Sequence, residues 1–128
     1  MSVVVGYLGT NEGEAALDAA VEEARRRGTR LVVVLSARPG EDDTTLDAQA
    51  DALRDRLDAA DLAYEVRLRR GKDVAEELLG VVTETSADLL VIGLRRRSPV
   101  GKLILGSNAQ RILLDAACPV LAVKPVQS

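Results

Sequence analysis

The chain has 128 residues, enough for a single domain with its own core and too few for a separate catalytic module beside it. Hydrophobic residues make up 47% of the sequence and charged residues 29%, a balance that excludes an intrinsically disordered chain. The net charge of -3 disfavours nucleic acids and anionic membranes as partners, so we expect neither. The absence of histidine and the presence of one cysteine disfavour acid-base enzymes and zinc sites, and exclude an internal disulfide.

The chain shows no sign of targeting to a membrane. No basic cluster opens the sequence, and no apolar run approaches the roughly 18 residues that span a bilayer. We therefore expect a soluble protein located in the cytoplasm.

Short runs rich in valine, isoleucine and leucine alternate with longer stretches of helical periodicity. The predicted strands, in chain order, are Val3–Tyr7, Leu31–Leu35, Tyr64–Leu68, Leu89–Ile92 and Val120–Val123. This alternation is typical of beta-alpha units around a parallel sheet, so we predict one doubly wound α/β domain over residues 1–128. The third strand alternates polar and apolar residues, which indicates one exposed face and a position at a sheet edge.

Four amphipathic helices are predicted between and after these strands. Their apolar faces are formed by Ala16, Leu17, Ala20, Val21 and Ala24, then Leu46, Ala50, Leu53 and Leu57, then Val74, Leu78, Leu79 and Val82, and finally Ile112 and Leu113. Asn11 and Glu14 are placed to cap the first helix, which Gly28 ends. Asp73 begins the third, with Glu76 three residues further on.

The loops after the first and fourth strands are the best candidates for a ligand site. In an open parallel sheet, ligands bind at the carboxyl ends of the strands where the winding direction reverses. The first loop contains Gly9 and Thr10, and the second runs from Gly93 to Gly106. Both lead into helices whose first amides lack partners within the helix.

The Gly106-Ser107 pair at the start of the last helix suits a phosphate. Glycine lets the backbone approach, while the hydroxyl and the next amides supply donors aligned with the helix dipole. Three arginines, Arg95 to Arg97, precede the pair and favour an anion further. Two plainer interpretations stay open: Ser107 with Gln110 also forms a capping box, and a run of arginines is often solvated surface.

From Val3 to Lys124 the chain resembles the universal stress protein family. The most specific stretch begins at Gly93, and it includes Gly106-Ser107-Asn108 at a helix start and Cys118-Pro119 before the last strand. The resemblance implies a five-stranded parallel sheet in the order 3-2-1-4-5, flanked by four helices. It also implies a homodimer that forms through the last strand, Val120–Val123.

The resemblance further implies reversible binding of an adenine nucleotide, ATP or AMP, as part of a stress response and without efficient turnover. Nucleotide-binding members carry Gly, two residues, Gly, nine residues, then Gly with Ser or Thr. Here Arg96 replaces the second glycine of that motif, and Leu8 stands where such members tend to have an aspartate. The implied contact residues are Gly9, Thr10, Gly93, Arg95, Arg96, Gly106, Ser107 and Asn108.

Arg96 and Leu8 affect the implied site in different ways. Arginine in a left-handed conformation costs about 1 to 2 kcal/mol, whereas its guanidinium aimed at a phosphate gains a similar amount. Leu8 offers apolar contact in place of a carboxylate hydrogen bond, which favours weaker or altered recognition of the adenosine.

Two alternatives to reversible nucleotide binding remain at this stage. The first is a dimeric protein-interaction module with a vestigial nucleotide site. The second is a nucleotide hydrolase, which would need a base or metal ligands, although the two glycine loops contain no aspartate, glutamate or histidine. We predict no resident metal, and a requirement for magnesium is left open.

Overall fold

The computed structural model describes residues 1–7, 11–37, 40–70, 73–94 and 106–124. The strands are β1 (Ser2–Tyr7), β2 (Arg30–Ser36), β3 (Tyr64–Arg69), β4 (Leu89–Gly93) and β5 (Val120–Val123). The helices are α1 (Asn11–Arg27), α2 (Asp43–Ala59), α3 (Val74–Glu84) and α4 (Ser107–Asp115). Each predicted strand matches an observed one to within one residue at either end.

The five strands form one parallel sheet in the order β3-β2-β1-β4-β5, which confirms the predicted fold class and strand order. In the register of the sheet, Val5 of β1 pairs with Val33 of β2 on one side and Val91 of β4 on the other. The winding direction reverses at β1. The chain therefore leaves β1 and β4 from adjacent positions at the carboxyl edge of the sheet.

Alternate residues of the central strands supply two separate cores. Val3 and Val5 of β1 pack in one cluster with apolar residues of α1 and α2. Val4 packs in a second cluster with residues of α3 and α4. Helices therefore cover both faces, which explains why the inner strands are apolar at almost every position.

The apolar face of α3 differs from the prediction. The residues that it buries are Ala75, Leu78, Val81 and Val82. Val74 is half-buried and packs against the core, as predicted, whereas Leu79 is only half-buried. Leu78 lies so close to β1 that a Cβ added to Gly6 would meet its Cδ1 at 3.0 Å, so glycine at this strand position lets the helix approach.

The predicted helix ends are confirmed in part. Gly28 has a φ of 62°, the left-handed conformation expected after the end of α1. Asp73 precedes α3, and its Oδ1 accepts a hydrogen bond from the backbone N–H of Glu76 at 3.0 Å, as predicted. Asn11 is the first residue of α1, and its side chain lies outside the described residues, so the cap predicted there stays a prediction. Among the described ranges, none of the helices is long and apolar enough to cross a membrane.

Candidate functional site

The described part of the predicted site lies at the carboxyl edge of the sheet. Gly93 ends β4, Gly106 directly precedes α4, and Ser107 and Asn108 open that helix. Gly9, Thr10, Arg95 and Arg96, together with Leu8, lie outside the described residues, so their contribution stays a prediction.

The residue that caps α4 is a glycine, so it supplies no side-chain hydrogen bond to the helix. Gly106 is the capping residue, with φ -71° and ψ 169°, and it has no side chain to accept the first amides. The alternative of a capping box formed by Ser107 with Gln110 is not the arrangement found, because Gly106 is the capping residue and Ser107 is already helical. A helix start of this kind leaves N–H groups and the positive end of the helix dipole available to an anion.

An ion pair holds α4 against the start of α3. Nη1 of Arg111 donates to Oδ2 of Asp73 at 2.5 Å, while Oδ1 of the same carboxylate accepts the backbone N–H of Glu76. The bond from the Glu76 backbone and the bond from Arg111 together lower the pKa of Asp73 below its ordinary value. We did not predict this pair, because 38 residues separate its members and no local sequence pattern indicates it.

A second polar cluster lies beside the end of β1. The hydroxyl of Tyr7 donates to one carboxylate oxygen of Glu14, and Nη1 of Arg56 donates to the other. Nη2 of Arg56 also donates to Oδ1 of Asp18 at 2.7 Å. The carboxylate of Glu14 thus joins β1 to α2, whereas we had predicted that it caps α1.

These contacts shift the titration of both groups. Burial and the neighbouring Glu14 carboxylate raise the pKa of Tyr7 to about 12. Burial opposes ionisation of Glu14, but the hydrogen bonds from Tyr7 and Arg56 outweigh it and lower the pKa of that carboxyl. Tyr7 therefore stays protonated, and Glu14 ionised, at neutral pH.

No group of three metal-ligating side chains occurs within the described ranges. Cys118 is half-buried beside the core, and burial raises the pKa of its thiol. A thiol in such surroundings is a poor ligand and a poor nucleophile. The chemistry available at the described part of the edge is therefore anion binding by backbone amides and hydroxyl groups.

Comparison with known proteins places this arrangement in a family. Residues 1–124 match the model of the universal stress protein family. A universal stress protein of Mycolicibacterium smegmatis is 44% identical over 133 aligned positions, which cover 96% of this chain and 97% of the relative.

Solved structures agree with that match. One universal stress protein of Archaeoglobus fulgidus superposes with a TM-score of 0.79 at 33% identity, covering 97% of this chain and 98% of its own. A universal stress protein in complex with cAMP has a TM-score of 0.78 at 28% identity, covering 97% of this chain and 96% of that structure's chain. A universal stress protein of Archaeoglobus fulgidus in complex with dAMP has a TM-score of 0.75 at 27% identity, covering 97% of this chain and 98% of that structure's chain. With this sheet order and this match along its length, the chain belongs to the universal stress protein family.

Proposed function

We propose that this protein is a cytoplasmic stress-response module that binds an adenine nucleotide, ATP or AMP, reversibly and without efficient turnover. The observation that carries the proposal is the start of α4, whose capping residue, Gly106, has no side chain to occupy the first amides of the helix. Backbone amides that are exposed at a helix start and aligned with its dipole form a natural phosphate site. The family relatives solved with cAMP and dAMP support an adenine nucleotide as the ligand.

The phosphate groups would bind at the start of α4. Their oxygens would accept the first amides of the helix and the hydroxyl of Ser107, with Asn108 beside it. We assign Gly93 to the same subsite because it is the last residue of β4, the strand that lies next to β1. Of the remaining predicted contacts, Arg95 and Arg96 would add charge at the phosphates.

The adenosine would contact the chain after β1, where Gly9 and Thr10 match the family pattern and Leu8 departs from it. Leucine cannot accept a hydrogen bond from a ribose or a base. We therefore expect this protein to bind its nucleotide more weakly than a relative that has aspartate at this position.

Two acidic groups at the starts of α3 and α1 support binding without catalysis. Asp73 is bonded to Arg111 and to the backbone of Glu76, and Glu14 is bonded to Tyr7 and Arg56. A carboxylate in such contacts is a poor general base, since its lowered pKa makes the uptake of a proton unfavourable.

Calorimetric titration of the purified protein with ATP and with AMP tests the proposal, each with and without Mg²⁺. GTP serves as the control ligand of equal charge. The expected result is saturable binding of an adenine nucleotide and no measurable product after prolonged incubation with ATP. At a hundredfold excess of nucleotide over its Kd, the protein should gain roughly 2.7 kcal/mol in the free energy of unfolding. Absence of heat and of thermal stabilisation at millimolar ATP and AMP would contradict the proposal.

A second candidate function is partner binding by a homodimer with a vestigial site, and the unequal edges of the sheet favour it. At the β5 edge, Leu121 leaves 38% of its surface exposed. At the opposite edge, Arg67 of β3 pairs with Glu65 in its own strand and with Glu84 of α3. Charged edge strands resist pairing and apolar ones invite it, so β5 is the edge through which a second copy would bind.

A further inference from the structure

Tyr7, Glu14, Asp18 and Arg56 form a polar cluster that we call the β1–α1–α2 clasp. Its hydrogen bonds run from the last residue of β1 to the first turns of α1 and on to the last turn of α2. Tyr7 is half-buried, and it packs against the core beneath α1 and α2 and against a smaller apolar cluster of Leu35, Leu46 and Ala50. The ring is therefore fixed by packing, and the hydroxyl at its end is fixed by a carboxylate.

The place of the clasp in the fold ties it to the proposed nucleotide site. Tyr7 and Glu14 are seven residues apart, one at the carboxyl end of β1 and the other near the start of α1. A bond between them fixes the position of α1 relative to the edge where the proposed site lies. Arg56 binds both Glu14 and Asp18, one turn apart, so it resists rotation of α1 about its own axis.

We propose that Tyr7 is a positioning residue for the nucleotide. Its hydroxyl, acting through Glu14 and Arg56, holds the start of α1 in the orientation that the bound state requires. This assignment rests on the proposed function, because the ligand being positioned is the adenine nucleotide. Ordering a site before its ligand arrives strengthens binding, since the ordering then costs nothing at the moment of association.

Tyr7→Phe tests the assignment, and the chain offers a matched control. Tyr64 also donates its hydroxyl to a carboxylate, that of Asp58 at 2.6 Å, but it lies at the first residue of β3, at the opposite end of the sheet. Tyr64→Phe therefore removes the same kind of bond away from the site. We expect Tyr7→Phe to raise the Kd for ATP or AMP at least about 5-fold, the lower end of ordinary coupling between sites. Tyr64→Phe should leave the Kd unchanged.

Two further measurements separate positioning from a merely structural contribution. Amide hydrogen exchange without nucleotide should become faster in the first two turns of α1 in Tyr7→Phe and stay unchanged there in Tyr64→Phe. Glu14→Ala should weaken binding to a similar degree, and the double variant should bind no worse than either single one, because the two groups act through one bond.

The outcomes distinguish this assignment from the proposed function itself. If the unaltered protein binds neither ATP nor AMP, the proposed function is overturned and the assignment of Tyr7 with it. If the unaltered protein binds and Tyr7→Phe binds equally well, only the assignment is overturned, even where the exchange of α1 becomes faster. Equal loss of affinity in Tyr7→Phe and Tyr64→Phe also overturns it, since a general loss of stability then explains both.

Discussion

The carboxylate of Asp73 caps α3 and, through its second oxygen, accepts Nη1 of Arg111 in α4 at 2.5 Å. One side chain thus fixes the start of one helix and anchors the second turn of another. The anchored helix is the one whose first amides form the proposed phosphate site. The position of that site therefore depends on α3, although α3 supplies none of the predicted contact residues.

The pKa shift of Asp73 predicts how stability depends on pH. Its pKa is lowered in the folded protein, so its contribution is present above the unfolded value of about 3.9 and is lost as the pH falls through the folded value. Asp73→Asn keeps a capping side chain and removes the titration. We expect the variant to lose less stability than the unaltered protein between pH 5 and pH 2, as measured by urea denaturation.

Asp42→Asn is the control for that experiment. Asp42 caps α2 by accepting the backbone N–H of Thr45 at 2.8 Å, and this bond lowers its pKa in turn. It makes no bond to Arg111, so its replacement should alter the loss of stability at low pH and leave the affinity for nucleotide unchanged. Asp73→Asn should alter both the loss of stability at low pH and the affinity. An unchanged Kd in Asp73→Asn would show that the ion pair does not position α4.

The hydroxyl of Ser107 can be removed without removing a helix cap, because the cap is Gly106. We expect Ser107→Ala to weaken nucleotide binding by about 0.5 to 1.5 kcal/mol, the ordinary contribution of one hydrogen bond. The melting temperature should stay within a degree or two, since alanine is a good helix former. Thr44→Ala, an equally exposed position in the first turn of α2, is the control. A loss of stability without a loss of affinity would contradict the prediction.

Replacing Gly106 tests directly whether the first amides of α4 bind the nucleotide. Its φ of -71° is open to any residue, so Gly106→Asn and Gly106→Asp should fold without backbone strain. Both side chains cap helices, which should preserve stability or raise it by a few tenths of a kcal/mol. Both should weaken binding because they occupy the amides, and aspartate should weaken it more because its charge repels a phosphate. Calorimetry and chemical denaturation report the two effects separately, and unchanged affinity in both variants would argue against a phosphate at this helix.

A substitution in β5 tests the proposed homodimer. Leu121→Lys places a charge on the exposed apolar position of the edge strand and should convert dimers into monomers at micromolar concentration. Ala52→Lys adds the same charge to the exposed face of α2 and should have no effect. Light scattering coupled to size-exclusion chromatography measures both. A monomeric unaltered protein, or a dimer that survives Leu121→Lys, would contradict pairing through β5.

The strands and their order were predictable because the signals that specify them are local or belong to the whole family. Apolar runs marked each strand to within one residue, and the alternation in β3 correctly indicated an edge. The face that α3 buries was harder to predict from the sequence. Leu78 and Val82 were correctly predicted to be buried, and Val74 packs against the same core, but the burial of Ala75 and Val81 was not predicted. Pairs of adjacent apolar residues, such as Leu78-Leu79 and Val81-Val82, leave the buried face of a helix ambiguous until the sheet beneath it selects one orientation.

The contacts around the proposed site could not be predicted from sequence patterns. Glycine and serine both serve as helix caps, so the residues alone did not show that Gly106, and not Ser107, takes the extended conformation. Glu14 had a plausible local use as a cap, whereas its actual partner Arg56 lies 42 residues away. Asp73 and Arg111 meet only because the sheet order brings α3 and α4 to the same face.

If the proposed homodimer forms, the contrast between the β5 edge, where Leu121 is exposed, and the ion-paired β3 edge would limit how far self-assembly can proceed. Two copies that join through β5 would build one continuous ten-stranded sheet with a charged strand at each outer end. Neither outer end could then recruit a third copy. Association would be self-terminating, so a protein with an apolar strand in contact with solvent could accumulate under stress without growing into a fibre.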